Sequence, residues 1–166
     1  MRTIRTKVYQ FSELSKEAQT KAIENCWDIN LMDRWHESTY DDAQNIGLKI
    51  TGFNLDRGNY VSGEIIGTHE ETAKLIIENH GEVVETYKTA KEFLNQLYAY
   101  HDKADGEEEG EFDSEIEELE EEFLKDLCED YRIILRDFYE YLGSQEAIKE
   151  TIEANQYEFH KDGRRY

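Results

Sequence analysis

The chain has 166 residues, with 39 acidic and 19 basic side chains and a net charge of −20. This length suits one domain, and no apolar run approaches the roughly 20 residues of a membrane-spanning helix. No apolar stretch follows the basic start, and Cys26 and Cys128 lack the spacing of a disulfide framework or zinc knuckle. We therefore expect one cytoplasmic α+β domain over residues 1–166, with both thiols reduced and packed.

Aromatic residues make up 12% of the chain, which distinguishes it from an acidic disordered tail. Alternating β-branched and aromatic residues at 7–11 predict a short strand. A helix follows, capped by Ser12 or Ser15, and its apolar spacing extends it toward Ala43. Two alternating runs, 48–55 and 60–66, flank a turn sequence and predict a β-hairpin.

From Thr68 the apolar period changes from two to about 3.6 residues, which predicts a helix ending at Gly81 and a second at about 84–100. The loop 102–110 is acidic and of low complexity. A long amphipathic helix then extends to Gly143, and Ser144 caps a shorter one.

The alternating C-terminal end predicts a strand, with a turn at Asp162 and Gly163. We expect it to join the N-terminal strand and the hairpin in one small antiparallel sheet, beside about five helices that include one long acidic helix. The acidic loop and helix occupy 102–142 of this single α+β domain.

The negative charge is concentrated in one segment. Residues 102–130 hold 16 acidic side chains and two basic ones, so 14 of the 20 excess negative charges lie within 29 residues. A block of like charge inside a domain repels itself, and it needs a partner or exposure to solvent.

The acidic helix has a charge spacing comparable to that of nucleic acid. Residues 115–130 carry nine acids over about 24 Å, or one charge per roughly 2.7 Å, against about 1.7 Å along duplex DNA. With Ile116, Leu119, Phe123 and Leu127 buried, the carboxylates form rows on both sides of the apolar stripe. The predicted partner-binding residues are Asp105, Glu107, Glu108, Glu109, Glu111, Asp113, Glu115, Glu117, Glu118, Glu121, Glu122 and Asp126.

Common catalytic and metal motifs are incomplete in this chain. The sequence at His69 begins like a zinc-protease motif, but Ala73 stands where the second histidine is required. The acidic loop lacks the ligand spacing of a calcium loop, and no glycine-rich phosphate loop is present. We therefore predict no catalytic residue, no metal and no cofactor, and we expect the protein not to be an enzyme.

Two other functions remain open. Asp33, His36, Glu37 and Asp41 could serve a metal-dependent enzyme, although a solvated helix face is the more frequent role of such a cluster. An aromatic surface around Trp27, Trp35 and Tyr40 could instead serve an interaction module, either antitoxin-like or an assembly partner.

Three segments carry a resemblance to known proteins: 7–18 (KVYQFSELSKEA), 53–60 (FNLDRGNY) and 152–159 (IEANQYEF). They resemble a family of small acidic uncharacterised proteins of bacteriophages and prophages. Small acidic phage proteins include anti-CRISPR and anti-restriction inhibitors that imitate DNA. The resemblance implies a phage protein acting in the cytoplasm of a bacterial host, and it supplies no catalytic residue.

Together these patterns predict a non-enzymatic inhibitor that acts as a DNA mimic. The expected partner is a basic nucleic-acid-binding host defence protein, with an RNA-guided nuclease favoured. Direct nucleic-acid binding is disfavoured by the isoelectric point of about 4.5, because phosphate contacts need Lys and Arg. No membrane is expected as a partner, and a homodimer through the long helix is left open.

Overall fold

The computed structural model describes residues 6–32, 34–104 and 113–166. Within these ranges it has α+β architecture, with six α-helices and four short strands, so the predicted fold class is confirmed. In chain order the elements are β1 (Tyr9–Gln10), a 3₁₀ turn (Phe11–Glu13), α1 (Lys16–Asn25), α2 (Glu37–Asn45), β2 (Leu48–Asn54), β3 (Tyr60–Ile65), α3 (His69–Asn79), α4 (Glu85–Ala104), α5 (Asp113–Leu142), α6 (Gln145–Ala154) and β4 (Glu158–Phe159).

Side-chain caps fix the starts of several helices, as the sequence predicted. Ser15 accepts a hydrogen bond from the N–H of Ala18 at the start of α1, and Ser144 accepts one from the N–H of Ala147 at α6. Thr68 and Glu71 form a reciprocal capping box at α3. Each cap satisfies a backbone N–H that has no partner within its helix.

The predicted first helix is interrupted, which raises the helix count from about five to six. Helix α1 ends at Asn25, and α2 begins only at Glu37. Between them Arg34 has a φ of 79°, a left-handed conformation that no α-helix contains. Asn30 also donates its side-chain amide to the carbonyl of Leu142 at 3.0 Å, which favours the turn over a continued helix.

The described strands form two two-stranded antiparallel sheets, whereas the sequence predicted one sheet. Strand β1 pairs with β4, with Tyr9 opposite Phe159, and β2 pairs with β3, with Leu48 opposite Ile65. Strands β1 and β4 are two residues long. In the described part of the chain, β1 and β4 thus pair with each other and not with the strands of the hairpin.

Contacts divide the chain into two compact units. The first unit contains the described residues up to Trp35 together with Asp137–Tyr166, and the second unit is His36–Arg136. Helix α5 contributes residues to both units. The single domain over 1–166 stays a prediction.

Each unit has its own apolar core. In the first unit, Phe11 and Phe159 meet edge to face at 6.3 Å, surrounded by apolar residues of α1 and α6. In the second unit, buried residues of α5 pack with Leu48 and Ile50 of the hairpin and with Ile76 of α3. These residues of α5 are Leu119, Phe123, Leu127 and Tyr131. No helix of the described ranges is both long enough and apolar enough to cross a membrane.

Candidate partner-binding surface on helix α5

Helix α5 has 30 residues and one buried stripe. Leu119, Phe123, Leu127, Tyr131 and Leu135 recur at four-residue spacing and are all buried. This spacing places them along one side of the helix, so the intervening residues point away from the core. The buried stripe therefore holds the acidic positions of the helix toward solvent.

Seven of the twelve predicted partner-binding residues are described, and all seven are exposed. We call them the acidic face: Asp113, Glu115, Glu117, Glu118, Glu121, Glu122 and Asp126. The other five, Asp105, Glu107, Glu108, Glu109 and Glu111, lie outside the described residues. Partner binding by these residues stays a prediction.

Within the described ranges, no Lys, Arg or His forms an ion pair with a residue of the acidic face. Lys125 is exposed on the same helix and has no ion pair there either. The carboxylates of the acidic face therefore lie in solvent without a cation beside them among the described residues.

Three further acids of α5 have a polar partner within the second unit: Glu120, Glu129 and Asp130. Glu120 lies 3.4 Å from Nδ1 of His69. Glu129 accepts two hydrogen bonds from Arg132, and these bonds lower the pKa of Glu129. These partners explain why the acidic face does not extend evenly along the helix.

Asp130 is the half-buried acid of α5. It accepts a hydrogen bond of 2.7 Å from the Thr89 hydroxyl, which lies on α4. Burial raises the pKa of Asp130, and the neighbouring carboxylates, Glu85 first, raise it further, while the bond from Thr89 acts in the opposite direction. The ionised form of Asp130 therefore makes the folded state less stable than the protonated form would.

A cleft of about 340 Å³ between α4 and α5 brings two residues of the acidic face together with acids of α4. Glu122 and Asp126 line one side, and Glu85 and Glu92 line the other. The cleft also contains Lys88, whose Nζ lies 2.6 Å from Glu85. Carboxylates of two adjacent helices thus border the same groove.

Sequence reasoning did not identify Glu85 and Glu92 as part of this surface. Their spacing of seven residues places them on one side of α4, and this is the signal that could have found them. The missing information was that α4 packs beside α5, where Phe93 of α4 stacks on Phe123 at 4.3 Å. A single helix pattern does not reveal its neighbour.

Of the four residues proposed for a metal-dependent enzyme, the histidine packs among aromatic rings. His36 packs against Tyr40 and Phe53, with ring centroids 4.9 and 5.3 Å away. Asp33 lies outside the described residues. Among those that are described, no three His, Cys, Asp or Glu side chains are grouped so that they could hold a metal ion.

The aromatic residues of the alternative interaction surface belong to different units. Trp27 is 60% exposed in the first unit, where Trp35 packs against Phe138 and Tyr139. Tyr40 belongs to the second unit. Of the two tryptophans in the first unit, Trp27 is therefore the exposed one.

Both cysteines are free and buried, as predicted. Burial raises the pKa of the Cys26 thiol and that of the Cys128 thiol. A raised pKa keeps a thiol protonated at neutral pH, which suits packing better than nucleophilic chemistry.

Comparison with known proteins gives no relative: no family model matches the chain, and no curated protein or solved structure is significantly similar to it.

Proposed function

We propose that the protein is a phage-encoded, non-enzymatic inhibitor that acts in the cytoplasm of a bacterial host. It binds a basic nucleic-acid-binding protein by placing the acidic face in the channel that normally holds nucleic acid. The observation that supports this proposal is the set of exposed carboxylates without cationic partners, in rows on both sides of a buried stripe that anchors the helix.

The spacing of these charges suits a channel built for phosphates. Asp113 and Asp126 are about 20 Å apart along the helix axis, and the acidic face carries seven charges over that length, about one per 2.8 Å. This value lies between the roughly 1.7 Å of a DNA duplex and the 3.4 Å of one strand. A row of Lys and Arg spaced to neutralise phosphates can therefore also neutralise these carboxylates.

The helix lowers the ordering cost of binding in place of nucleic acid. The carboxylates are already positioned by the buried stripe, so binding orders less of the chain than it would for a disordered acidic tail. Long-range attraction to a basic channel also accelerates the encounter, and salt weakens it. An RNA-guided nuclease is the favoured target because it holds its guide–target duplex in a positively charged channel.

The experiment measures binding of the purified protein to such nucleases, with and without guide or DNA, at low and high salt. We expect competition with nucleic acid and a steep loss of affinity as salt rises. The variant with Glu117, Glu118, Glu121 and Glu122 all replaced by Gln should lose binding. Unchanged binding by this variant would refute the role of the acidic face.

A matched control separates the position of the charges from their number. Glu17, Glu24, Glu146 and Glu150 are exposed in the first unit and have no ion pair within the described residues. Replacing these four by Gln changes the net charge by the same amount. We expect this variant to bind like the wild type, and equal losses in both variants would mean that total charge alone acts.

The second candidate function is an interaction module that uses apolar surface, and the exposure of Trp27 and Met32 favours it. Trp27 is 60% exposed and Met32 71% exposed, both in the first unit. In that case Trp27→Ala should abolish partner binding, high salt should leave the affinity unchanged, and the four Gln substitutions on α5 should have no effect.

A further inference from the structure

An open cleft of about 620 Å³ lies between the β2–β3 loop and Arg136 of helix α5. All of its lining residues belong to the second unit. They are Asn54, Leu55, Asp56, Arg57 and Arg136. The lining thus contains two guanidinium groups and one carboxylate, an excess of positive charge in a chain whose net charge is −20.

The loop is held in shape by its own hydrogen bonds. Oδ1 of Asn54 accepts from the backbone N–H of Asp56 at 2.9 Å and from that of Gly58 at 3.4 Å. This local arrangement closes the first part of the turn without using the side chain of Arg57. The cleft is therefore formed before any ligand binds.

Arg136 joins the helix to this loop. Its Nη2 donates to the carbonyl of Leu55 at 2.9 Å and to Oδ1 of Asn59 at 2.6 Å. Its Nε is buried and has no acceptor. The five donors of the guanidinium are thus only partly used, and the acceptors that Arg136 does have are neutral.

Arg132, the neighbouring arginine on α5, differs from Arg136 in having a carboxylate partner. Arg132 pairs with Glu129 through two hydrogen bonds, so its charge is compensated. Arg57 and Arg136 have no carboxylate partner within the described ranges. Their charge remains available to a ligand in the cleft.

We propose that this cleft binds a phosphate group. Guanidinium groups bind phosphate oxygens through paired, charge-assisted hydrogen bonds. A phosphate monoester carries about −1.5 to −2 charges at pH 7, which matches two uncompensated guanidinium groups. Asp56 on the rim opposes the anion, so its removal strengthens binding. This site is independent of the acidic face, because it attracts anions.

The experiment titrates the ¹⁵N-labelled full-length protein with inorganic phosphate at pH 7 and low ionic strength. Saturable shifts are expected in the amide signals of residues 54–59 and in the Nε–H signal of Arg136. Sodium chloride at matched ionic strength should not reproduce them. Absence of saturation, or equal shifts with chloride or acetate, would overturn a phosphate site.

Two substitutions test the charges of Arg57 and Asp56, which line the cleft. Arg57 is exposed, so Arg57→Gln should leave the fold intact and weaken phosphate binding about tenfold, the loss expected for one charged hydrogen bond. Asp56→Asn should tighten binding several-fold, by removing a repulsive charge. Opposite or absent effects of these two changes would overturn the proposal.

Lys49→Gln is the matched control for Arg57→Gln. Lys49 lies on the same hairpin, pairs with Glu64 at 3.5 Å, and does not line the cleft. We expect its substitution to leave phosphate binding unchanged. A loss equal to that of Arg57→Gln would show that only general attraction acts. No partner protein is used, so these results do not depend on the function proposed for α5.

Discussion

Tyr131 of helix α5 is completely buried, and its hydroxyl donates a hydrogen bond of 2.8 Å to Oδ2 of Asp42 on α2. Burial, reinforced by the charge of Asp42, raises the pKa of Tyr131 well above its usual value, so the hydroxyl remains a donor at all ordinary pH values. His80 approaches the same carboxylate, with Nε2 3.7 Å from Oδ1. Because Tyr131 belongs to the buried stripe, this bond helps to fix which side of α5 faces solvent.

Tyr131→Phe should therefore destabilise the second unit. Asp42 is partly exposed and can regain water, so we expect a loss of about 1–2 kcal/mol in the free energy of unfolding, near the lower values for bonds to charged groups. Urea denaturation measures it. Tyr141→Phe is the control, because Tyr141 is exposed, and it should change stability by less than about 0.5 kcal/mol. If both variants match the wild type, the bond to Asp42 contributes nothing to stability.

The acidic face should itself oppose folding. Glu118, Glu122 and Asp126 follow one another at four-residue spacing, and like charges so placed destabilise a helix by about 0.2–0.5 kcal/mol per pair. Replacing Glu122 by Gln removes both repulsive pairs and also the weaker attraction to Lys125 three residues further on. The net effect should be a rise of about 0.2–0.5 kcal/mol in the free energy of unfolding.

Salt provides the check on this explanation. The stability gain of Glu122→Gln should shrink in high salt, because screening weakens the repulsion in the wild type. Glu24→Gln in the first unit is the control, because the residue four before it is Thr20 and α1 ends before Asp28. It should show little gain at either salt concentration. Denaturation curves in low and high salt measure whether the stability gain shrinks. A gain that is the same at both salt concentrations would point to a cause other than repulsion.

Asp130 should make stability depend on pH in a defined direction. Its pKa is raised in the folded state, so above that pKa the ionised group opposes folding. Asp130→Asn keeps an acceptor for Thr89 and should be more stable than the wild type at pH 7. The advantage should disappear as the pH falls through the raised pKa, because the wild-type carboxyl then becomes protonated.

Glu129→Gln, on the same helix, should change stability at pH 7 in the direction opposite to Asp130→Asn. The pKa of Glu129 is lowered by its bonds from Arg132, so the ionised form favours the fold, and that contribution is lost as the pH falls through the lowered pKa. The variant should be less stable than the wild type at pH 7 and should match it in acid. Denaturation across the acidic range tests both variants, and the same sign in both would contradict these assignments.

Local signals in the sequence predicted much of this fold. The caps at Ser15, Thr68 and Ser144 and the hairpin turn depend on neighbouring residues, and all are present as predicted. The break after Asn25 was not predicted, since it involves Asn30 binding the distant carbonyl of Leu142.

The same distinction applies to the candidate site. The exposure of Glu118 and Glu122 follows from the apolar period of α5, which is visible in the sequence. The cleft that they share with Glu85 depends on how two helices pack, and helical periodicity carries no such information. Faces of single elements were predictable, and surfaces formed by two elements were not.

The predicted turn at Gly163 gives a sharp test of the first unit. Gly163 has a φ of 86°, a left-handed conformation that costs an L-residue about 1–2 kcal/mol, and a Cβ there would collide with the carbonyl oxygen of Ala18 on α1. Gly163→Ala should therefore destabilise the protein by at least about 2 kcal/mol. Gly81→Ala is the matched control, since nothing lies within 4 Å of its added Cβ. It should be neutral or slightly stabilising, because alanine restricts the unfolded chain. Equal denaturation midpoints for the two variants would contradict the close approach of Gly163 to α1.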